Sequence, residues 1–465
     1  MTILPLLLTT VRVPALPRER TRPHPDVATR TALVITAVHM LASTLRYRFH
    51  GADYDLAIFY QALSSTSTTP FETLIKGPGH SIFGDHAHPI ILLLWPLVQA
   101  IPSPVTLLAA QSLAIGLAVA VLAREFMPLL PTGERTLWLA GLALAPGIQG
   151  AAMFDFHEVS LGAPLLALVM VALHRRQHLT AALWAGSLVL IKEDAVLFIA
   201  GIALVLALRR SFGLALALSS TAVGWWLLAT RWFIPWAAGT HYTYTSMLPT
   251  SPGELAQHLV GALLGWEGLT LALVLTSLAW RPLRSDLALA VVPYLLAIAA
   301  TDNFRYQVLV YHYWLLPTII LAAAAGAAGT ASTCRLGRLR RRLAVVCITA
   351  GILAGPITLG LGQVDWSSRA DADAALASVP AGAHVAAEGR FTAQLSQHAR
   401  VRLLEPGSAH DTVPDEVDWA LLDTESRAHG APGWTAPVLE RLCSEGFTVV
   451  GEYGSILVLH KTWGR

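Results

Sequence analysis

Residues 51–89 read GADYDLAIFYQALSSTSTTPFETLIKGPGHSIFGDHAHP, and the rest of the chain is interpreted around this stretch. It is polar, aromatic and acidic, and it lies between two apolar runs that are typical of membrane spans. Its ionisable side chains include Asp53, Asp55, Glu72, Lys76, Asp85, His86 and His88. Ionisable groups held at a membrane are costly unless they pair, bind or react, so we interpret this loop as a candidate functional site.

The composition indicates an integral membrane protein. The chain has 465 residues, of which 54% are hydrophobic and only 13% are charged, whereas soluble domains carry about 25% charged residues. The basic residues fall in short loops between apolar runs, which argues against a nucleic-acid partner. The three cysteines (Cys334, Cys347 and Cys443) have no CxxC spacing, so neither a disulfide framework nor a zinc site is indicated.

The distribution of arginine predicts how the chain crosses the membrane. Residues 1–30 form a basic tail that the positive-inside rule assigns to the cytoplasm, residues 31–362 form a transmembrane domain of about 11–12 helices, and 47–89 form its first outer loop. The arginine-rich loops predicted to be cytoplasmic are 174–178, 209–210, 281–284 and 335–342. The loops predicted to be extracytoplasmic are 154–158, 192–194, 236–265 and 301–305.

Residues 90–101 do not fit this alternation, because a full crossing there would invert every later loop. The segment is short, contains Trp95-Pro96 and ends in IPSP. We therefore predict a re-entrant or half-spanning helix. The alternative is a thin full span, with one later hydrophobic run miscounted.

The composition changes at residue 363. Residues 363–465 carry 8 Lys and Arg against 14 Asp and Glu. The pattern predicts a helix at 370–379, strands in PAGAHVAAEG, ARVRLL and VDWALLD, a helix in APVLERLCSEG, and a strand hairpin in FTVVGEYGSILVLHKT. This is a small extracytoplasmic α/β domain. It has no glycine-rich phosphate loop, so we assign it no nucleotide site and interpret it as a packing or lid domain.

Asp55 is the first candidate for chemistry. In YDLAIFYQAL, Asp55, Phe59 and Leu63 have helical spacing, which predicts that Asp55 begins a short helix at the membrane surface. A carboxylate at that position either caps the helix or serves a reaction. Asp53 accompanies it.

Three further clusters fall on the same predicted side of the membrane. In GDHAHP, the histidines either ligate a metal or shuttle protons, or they are solvated loop residues. FDFHEVS places three ionisable groups between apolar runs, where charge is disfavoured. IKEDAVLF carries Lys192, one of only three lysines, which either meets a phosphate or carboxylate partner or forms an internal ion pair. The candidates in these clusters are His86, His88, Asp155, His157, Glu158, Lys192, Glu193 and Asp194.

The segment TDNFRYQVLVYHYW adds Arg305 and His312 near the outer end of a helix. A guanidinium there can form two parallel hydrogen bonds to a phosphate. The alternative is an arginine that anchors an aromatic belt at the interface.

The blocks YDLAIFYQAL, HAHPIILLLWPL, FDFHEVSLGAPLLAL and LVLIKEDA, together with the C-terminal strands, resemble the polytopic membrane family called domain of unknown function 2079. His88 aligns best with the family histidine, and His86 is an extra one. The family is similar to membrane glycosyltransferases of the C-type fold, which place an acidic residue in the first outer loop and use polyprenyl-phosphate sugar donors. The resemblance lends an analogy of fold and leaves the chemistry open.

This resemblance implies an inverting glycosyltransferase at the outer face of a bacterial plasma membrane, with Asp55 as general base. Asp155 and His157 would bind the acceptor or a metal, and Lys192 and Arg305 would hold the donor phosphate. A divalent cation, Mg²⁺ or Mn²⁺, is left open as a cofactor. The alternatives are a transporter or flippase for a lipid-linked or polar substrate, and a non-catalytic assembly protein.

Overall fold

The computed structural model describes residues 25–65, 68–301, 303–331, 338–355, 368–405, 413–426 and 433–461. This part of the chain is a helical body followed by a small domain with a five-stranded sheet. The predicted fold class, an all-α membrane domain with a C-terminal α/β domain, is therefore confirmed.

Many helices of the body are short, because proline, glycine and polar clusters interrupt the apolar runs. The first half contains α1 (Pro25–Arg48), α2 (Asp55–Ser64), α3 (Trp95–Ala100), α4 (Pro104–Phe126), α5 (Thr132–Ala143), α6 (Pro146–Met153), α7 (Val159–His174) and α8 (His178–Gly186). The second half contains α9 (Val196–Leu208), α10 (Phe212–Leu228), α11 (Ile234–Ala238), α12 (Pro252–Leu264), α13 (Trp266–Ser277), α14 (Val292–Ala299), α15 (Phe304–Gln307), α16 (Leu315–Ala331) and α17 (Arg338–Leu353).

Several of these helices can cross a bilayer. Within the described residues, 5 helical stretches are long and apolar enough, or up to 6 if the bent pair α12 and α13 forms one span. Four shorter apolar helices of 10–17 residues accompany them. The number of crossings depends on how many of these shorter helices also traverse the membrane, so the count of about 11–12 stays a prediction.

The segment that interrupts the predicted alternation is short. Residues Pro89–Leu93 form a 3₁₀ turn, and α3 follows and ends at Ala100. Twelve residues of helix reach about 20 Å, less than the ~30 Å of a hydrocarbon core. This length agrees with a half-spanning helix and does not suffice for a full perpendicular crossing.

Three arginine-rich loops share one end of the body. Arg175, after α7, donates to Glu125 at the end of α4. Arg209, after α9, pairs with Asp286 at 2.7 Å and also donates to the carbonyl of Leu173. These contacts bring loops 174–178 and 209–210 close to Asp286, which follows loop 281–284. Which end faces the cytoplasm stays a prediction. Loop 335–342 and the tail 1–30 lie partly outside the described residues.

The C-terminal domain has the strands predicted from the sequence: β1 (His384–Glu388), β2 (Arg400–Leu404), β3 (Trp419–Asp423), β4 (Phe447–Tyr453) and β5 (Ile456–Lys461). Their order is β2-β1-β3-β5-β4, parallel across the first three strands and antiparallel across the rest. Its helices are α18 (Arg369–Ala377), α19 (Gly389–Leu395) and α20 (Thr435–Ser444), of which α19 was not predicted. The predicted boundary at residue 363 lies outside the described residues.

This domain docks on the first loop. Gln394 of α19 donates to the carbonyl of Tyr47 at 2.7 Å, and Gln61 of α2 donates to the carbonyl of Val401 at 3.0 Å. A Cβ atom at Gly389 would lie only 2.6 Å from Oδ1 of Asp53. The start of α2 is therefore held between the helical body and the C-terminal domain.

Candidate functional site

Helix α2 places Asp55 at the edge of the packed interior. Its apolar residues are buried, including Leu56, Phe59 and Leu63, which fixes the rotation of the helix. Asp55 is the first residue of the helix, as the spacing predicted. The residue before it, Tyr54, makes no capping hydrogen bond with its side chain.

The carboxylate of Asp155 accepts hydrogen bonds from two main-chain amides, one just before α2 and one in its first turn. The amide of Asp53 donates to both of its oxygens at 3.1 and 3.0 Å, and the amide of Leu56 donates to Oδ2 at 3.0 Å. Arg46, near the end of α1, donates to Oδ1 at 2.7 Å. The carboxylate of Asp155 is fully buried, and these donors hold it at the start of α2. Because Asp155 accepts from the amides there, the side chain of Asp55 is not needed to cap the helix.

Asp55 keeps an accessible side chain, about 26% exposed, and its Oδ2 lies 3.6 Å from Nε2 of His157. Burial, followed by the negative charge of Asp155, raises the pKa of Asp55 to about 7, although the cations of Lys76 and Arg305 act in the opposite direction. A carboxylate with a pKa near the working pH suits general base catalysis.

His157 is enclosed by aromatic rings. The His312 ring stacks on it with centroids 3.6 Å apart, and Phe154 lies on it at 5.4 Å. Phe59 of α2 meets it edge-on at 5.5 Å. The ring is thus fixed beside Asp55, and the predicted partners His157 and His312 lie in one site.

A second group of predicted residues lies deeper. Nζ of Lys192 is 3.6 Å from Oε1 of Glu158, and Nδ1 of His88 is 4.0 Å from the same oxygen. All three side chains are buried. The sequence left two interpretations of Lys192 open, a phosphate or carboxylate partner and an internal ion pair. The structure shows the internal ion pair, with Glu158.

Glu193 ties two loops together. It accepts from Nδ1 of His86 at 2.7 Å, from the amide of Ala87 at 3.0 Å and from the hydroxyl of Tyr242 at 3.2 Å. Burial alone would raise the pKa of Glu193, but His86 and Lys192 outweigh it and lower that pKa to about 2. His86 therefore connects the first loop to the 192–194 loop.

Sequence reasoning missed the tyrosines of the loop between α11 and α12. The hydroxyl of Tyr244 donates to Asp85 at 2.8 Å, and Nζ of Lys76 lies 3.2 Å from the other oxygen of that carboxylate. The Tyr244 ring also stacks on His86 with centroids 4.7 Å apart. The signal was present in HYTYT, residues 241–245, where two tyrosines alternate with threonines within a predicted outer loop.

A small cavity adjoins the buried group and has room for about one water molecule. Its polar lining comes from Lys192, Asp194, Tyr294, His312 and Tyr313. Within the described residues, neither ring nitrogen of His312 has a hydrogen-bond partner in the protein. Three of the predicted candidates, Lys192, Asp194 and His312, therefore line one cavity.

The remaining predicted candidates lie at the surface beside Asp55. Arg305 is exposed, and its charge acts on both Tyr54 and Asp55. Asp53 accepts from the amide of Tyr54 at 2.9 Å and packs on Gly389. The structure therefore brings the twelve candidates to one end of the body in two neighbouring groups, one around Asp55 and one around Glu158 and Glu193.

The acidic and histidine side chains are paired with one another rather than arranged around a common point. Across the described ranges, no three His, Cys, Asp or Glu side chains are placed to hold a metal ion. The described residues thus show no ready-made cation site, and the divalent cation left open by the sequence stays a prediction.

Among the solved structures that are similar to this chain is one that matches almost its whole length. It is ArnT from Cupriavidus metallidurans bound to undecaprenyl phosphate, with a TM-score of 0.57 and 12% sequence identity. The similarity covers 94% of this chain and 99% of that chain. ArnT is a glycosyltransferase of the C-type fold, so this fold, implied earlier by resemblance, is confirmed.

The sequence comparisons give the family. No protein with a curated description matches the sequence. The family model described as a predicted membrane protein, DUF2079, matches residues 45–439, which include the first loop, both groups of candidate residues and most of the C-terminal domain. The chain is therefore a member of the DUF2079 family of membrane proteins.

Proposed function

We propose that this protein is an inverting membrane glycosyltransferase that moves a sugar from a polyprenyl-phosphate donor to a hydroxyl group of an extracytoplasmic acceptor. The observation that carries the proposal is the environment of Asp55. Its carboxylate is accessible, is relieved of helix capping by Asp155, and has a pKa raised to about 7. These are the properties of a general base.

In the proposed reaction, Asp55 removes the proton of the acceptor hydroxyl as that oxygen attacks the anomeric carbon of the sugar. The bond between this carbon and the phosphate oxygen breaks, and polyprenyl phosphate leaves with the bonding electrons. The proton stays on Asp55 until solvent removes it. General base assistance of this kind contributes about 10²–10⁴-fold to the rate.

The donor phosphate needs cations close to Asp55. Arg305 is exposed beside Asp55, and the charge of Lys76 is near enough to lower the pKa of Asp55. Lys192 lines the cavity, but Glu158 already partners it. We therefore assign the phosphate to Arg305, which can form two parallel hydrogen bonds, and leave Lys192 in its pair with Glu158.

Two comparisons support the proposal. ArnT, which shares the fold, was solved with undecaprenyl phosphate bound, and this is the donor class that the proposal requires. Membership of a membrane protein family agrees with a multi-pass chain. We place it in the plasma membrane with the N-terminus in the cytoplasm and Asp55 and the C-terminal domain outside, because the arginine-rich loops share the opposite end.

The test is a lipid and glycan profile of a deletion strain. The proposal predicts that one polyprenyl-phosphate sugar accumulates, that one surface glycan loses that sugar, and that wild-type protein reverses both changes while an Asp55→Asn variant does not. A transporter or flippase also predicts that the lipid-linked sugar accumulates, but it predicts that the Asp55→Asn variant restores the wild-type profile. An assembly protein predicts an unchanged lipid-linked sugar pool.

A further inference from the structure

The hydrogen-bonding direction of the His157 ring can be deduced from its neighbours. Nδ1 lies 3.4 Å from the main-chain carbonyl oxygen of Asp155. A carbonyl oxygen only accepts hydrogen bonds, so Nδ1 carries the hydrogen and donates it. In a neutral imidazole the other nitrogen then has a free lone pair. That nitrogen, Nε2, is the one that faces Oδ2 of Asp55 at 3.6 Å.

We propose that His157 is a positioning residue that acts through Asp55: its Nε2 accepts a hydrogen bond from the Asp55 carboxyl group once that group has taken up a proton. The proposal rests on the proposed function, since it concerns the base of that reaction. It assigns His157 a role other than binding an acceptor or a metal.

The surroundings of His157 keep the ring neutral and oriented. The ring is held by Phe59, Phe154 and His312 and is 9% exposed. Burial lowers the pKa of His157 to about 4, against the opposing influence of the Glu158 carboxylate. A neutral ring in a fixed orientation presents the same lone pair to Asp55 throughout the physiological pH range.

A hydrogen bond to the protonated form of a carboxyl group disfavours its ionisation and raises its pKa. His157 therefore reinforces the effects of burial and of Asp155 on Asp55. The other charged groups that act on Asp55 are Lys76 and Arg305, which lower its pKa, and Asp85, which raises it. The pKa of His157 is raised by the carboxylates of Glu158 and Asp155 and lowered by Lys192. The ring of His312 stacks on it.

The proton affinity of Asp55 is measurable without any substrate. Full-length protein in lipid nanodiscs is titrated while the infrared band of protonated carboxyl groups is followed, and the difference between the wild type and Asp55→Asn isolates the Asp55 band. In His157→Gln the side-chain amide can donate to the ionised carboxylate, so the midpoint for Asp55 should fall by at least about half a pH unit. His157→Asn is the second variant, in case the first does not fold.

The matched control is Phe154→Leu, which removes the phenyl ring that packs on His157. The imidazole of His157, with both of its nitrogens, stays in place. We expect its Asp55 midpoint to match the wild type within the error. The inference is overturned if the midpoint is unchanged in His157→Gln and His157→Asn, or if Phe154→Leu shifts it equally. Since no sugar transfer is involved, this result is independent of the outcome for the proposed function.

Discussion

At the scale of single residues, two carboxylates near the start of α2 differ in what surrounds them. Asp155 is fully buried and accepts from Arg46 and from two main-chain amides. Asp55 is about a quarter exposed and faces one imidazole ring. A carboxylate whose oxygens are already saturated with donors has little capacity left for a substrate proton, whereas Asp55 retains that capacity.

The raised pKa of Asp55 predicts how activity depends on pH. The reaction needs the ionised carboxylate, whose population falls tenfold for each pH unit below the pKa. With a pKa of about 7, the rate of transfer should rise with pH up to about 7 and then level off. The measurement is kcat/KM between pH 5 and 8.5. A profile that stays flat across this range would contradict the role of Asp55.

Lys192 and Glu158 form a buried pair, so Lys192→Met should destabilise the protein. Removing one partner of a buried ion pair leaves an uncompensated charge and costs about 3–5 kcal/mol. We expect a clearly lower melting temperature in detergent for Lys192→Met, and a partial recovery in the double variant Lys192→Met with Glu158→Gln. A Lys192→Met protein that is as stable as the wild type but fails to bind the donor would return Lys192 to the phosphate site.

At the scale of elements, α2 depends on a cap supplied by another part of the chain. Asp155→Asn keeps one oxygen acceptor but removes the charge that pairs with Arg46, which is itself about 20% exposed. We expect the free energy of unfolding to fall by about 3 kcal/mol and the first turn of α2 to become less ordered. Asp53→Asn is the matched control, because that side chain accepts from the adjacent amide of Tyr54. Equal melting temperatures for the two variants would contradict the capping role.

The short element α3 shows how a local irregularity preserves the arrangement of the loops. Because Pro89–Leu93 and α3 together are too short for a perpendicular crossing, α4 begins at the same end of the body as the first loop. Gln111 of α4 accepts from the amide of His157 at 3.0 Å, which also places the start of α4 near the site. A full crossing at 90–101 would have separated these residues.

At the scale of the whole molecule, the sequence predicted the C-terminal strands and the grouping of the arginine-rich loops, because both follow from local pattern and composition. The sequence predicted that the clusters of ionisable residues lie on one side, but not which side chains pair with one another. The capping of α2 by Asp155 and the contact of Tyr242 with Glu193 join residues that are 99 and 49 positions apart. Such pairings depend on the packing of intervening helices, which periodicity does not encode.

The grouping of loops also predicts sidedness. A reporter that is active only outside the cytoplasm should be active when fused after Arg465 and inactive when inserted between Arg209 and Arg210. The physical reason is that the arginine-rich loops 174–178, 209–210 and 281–284 share the end opposite the C-terminal domain. The reverse pattern would invert the molecule and move Asp55 to the cytoplasmic face.

The central claim is that Asp55 is the base of a sugar transfer. The most direct measurement uses purified protein in proteoliposomes with the polyprenyl-phosphate sugar that accumulates in the deletion strain, and follows release of polyprenyl phosphate and formation of the glycosylated acceptor. Asp55→Asn should fold and bind the donor almost normally but lose at least about a hundredfold in transfer rate. Asp53→Asn, two positions earlier, should lose much less. Full transfer by Asp55→Asn, together with its loss in Asp53→Asn or Asp155→Asn, would contradict the account.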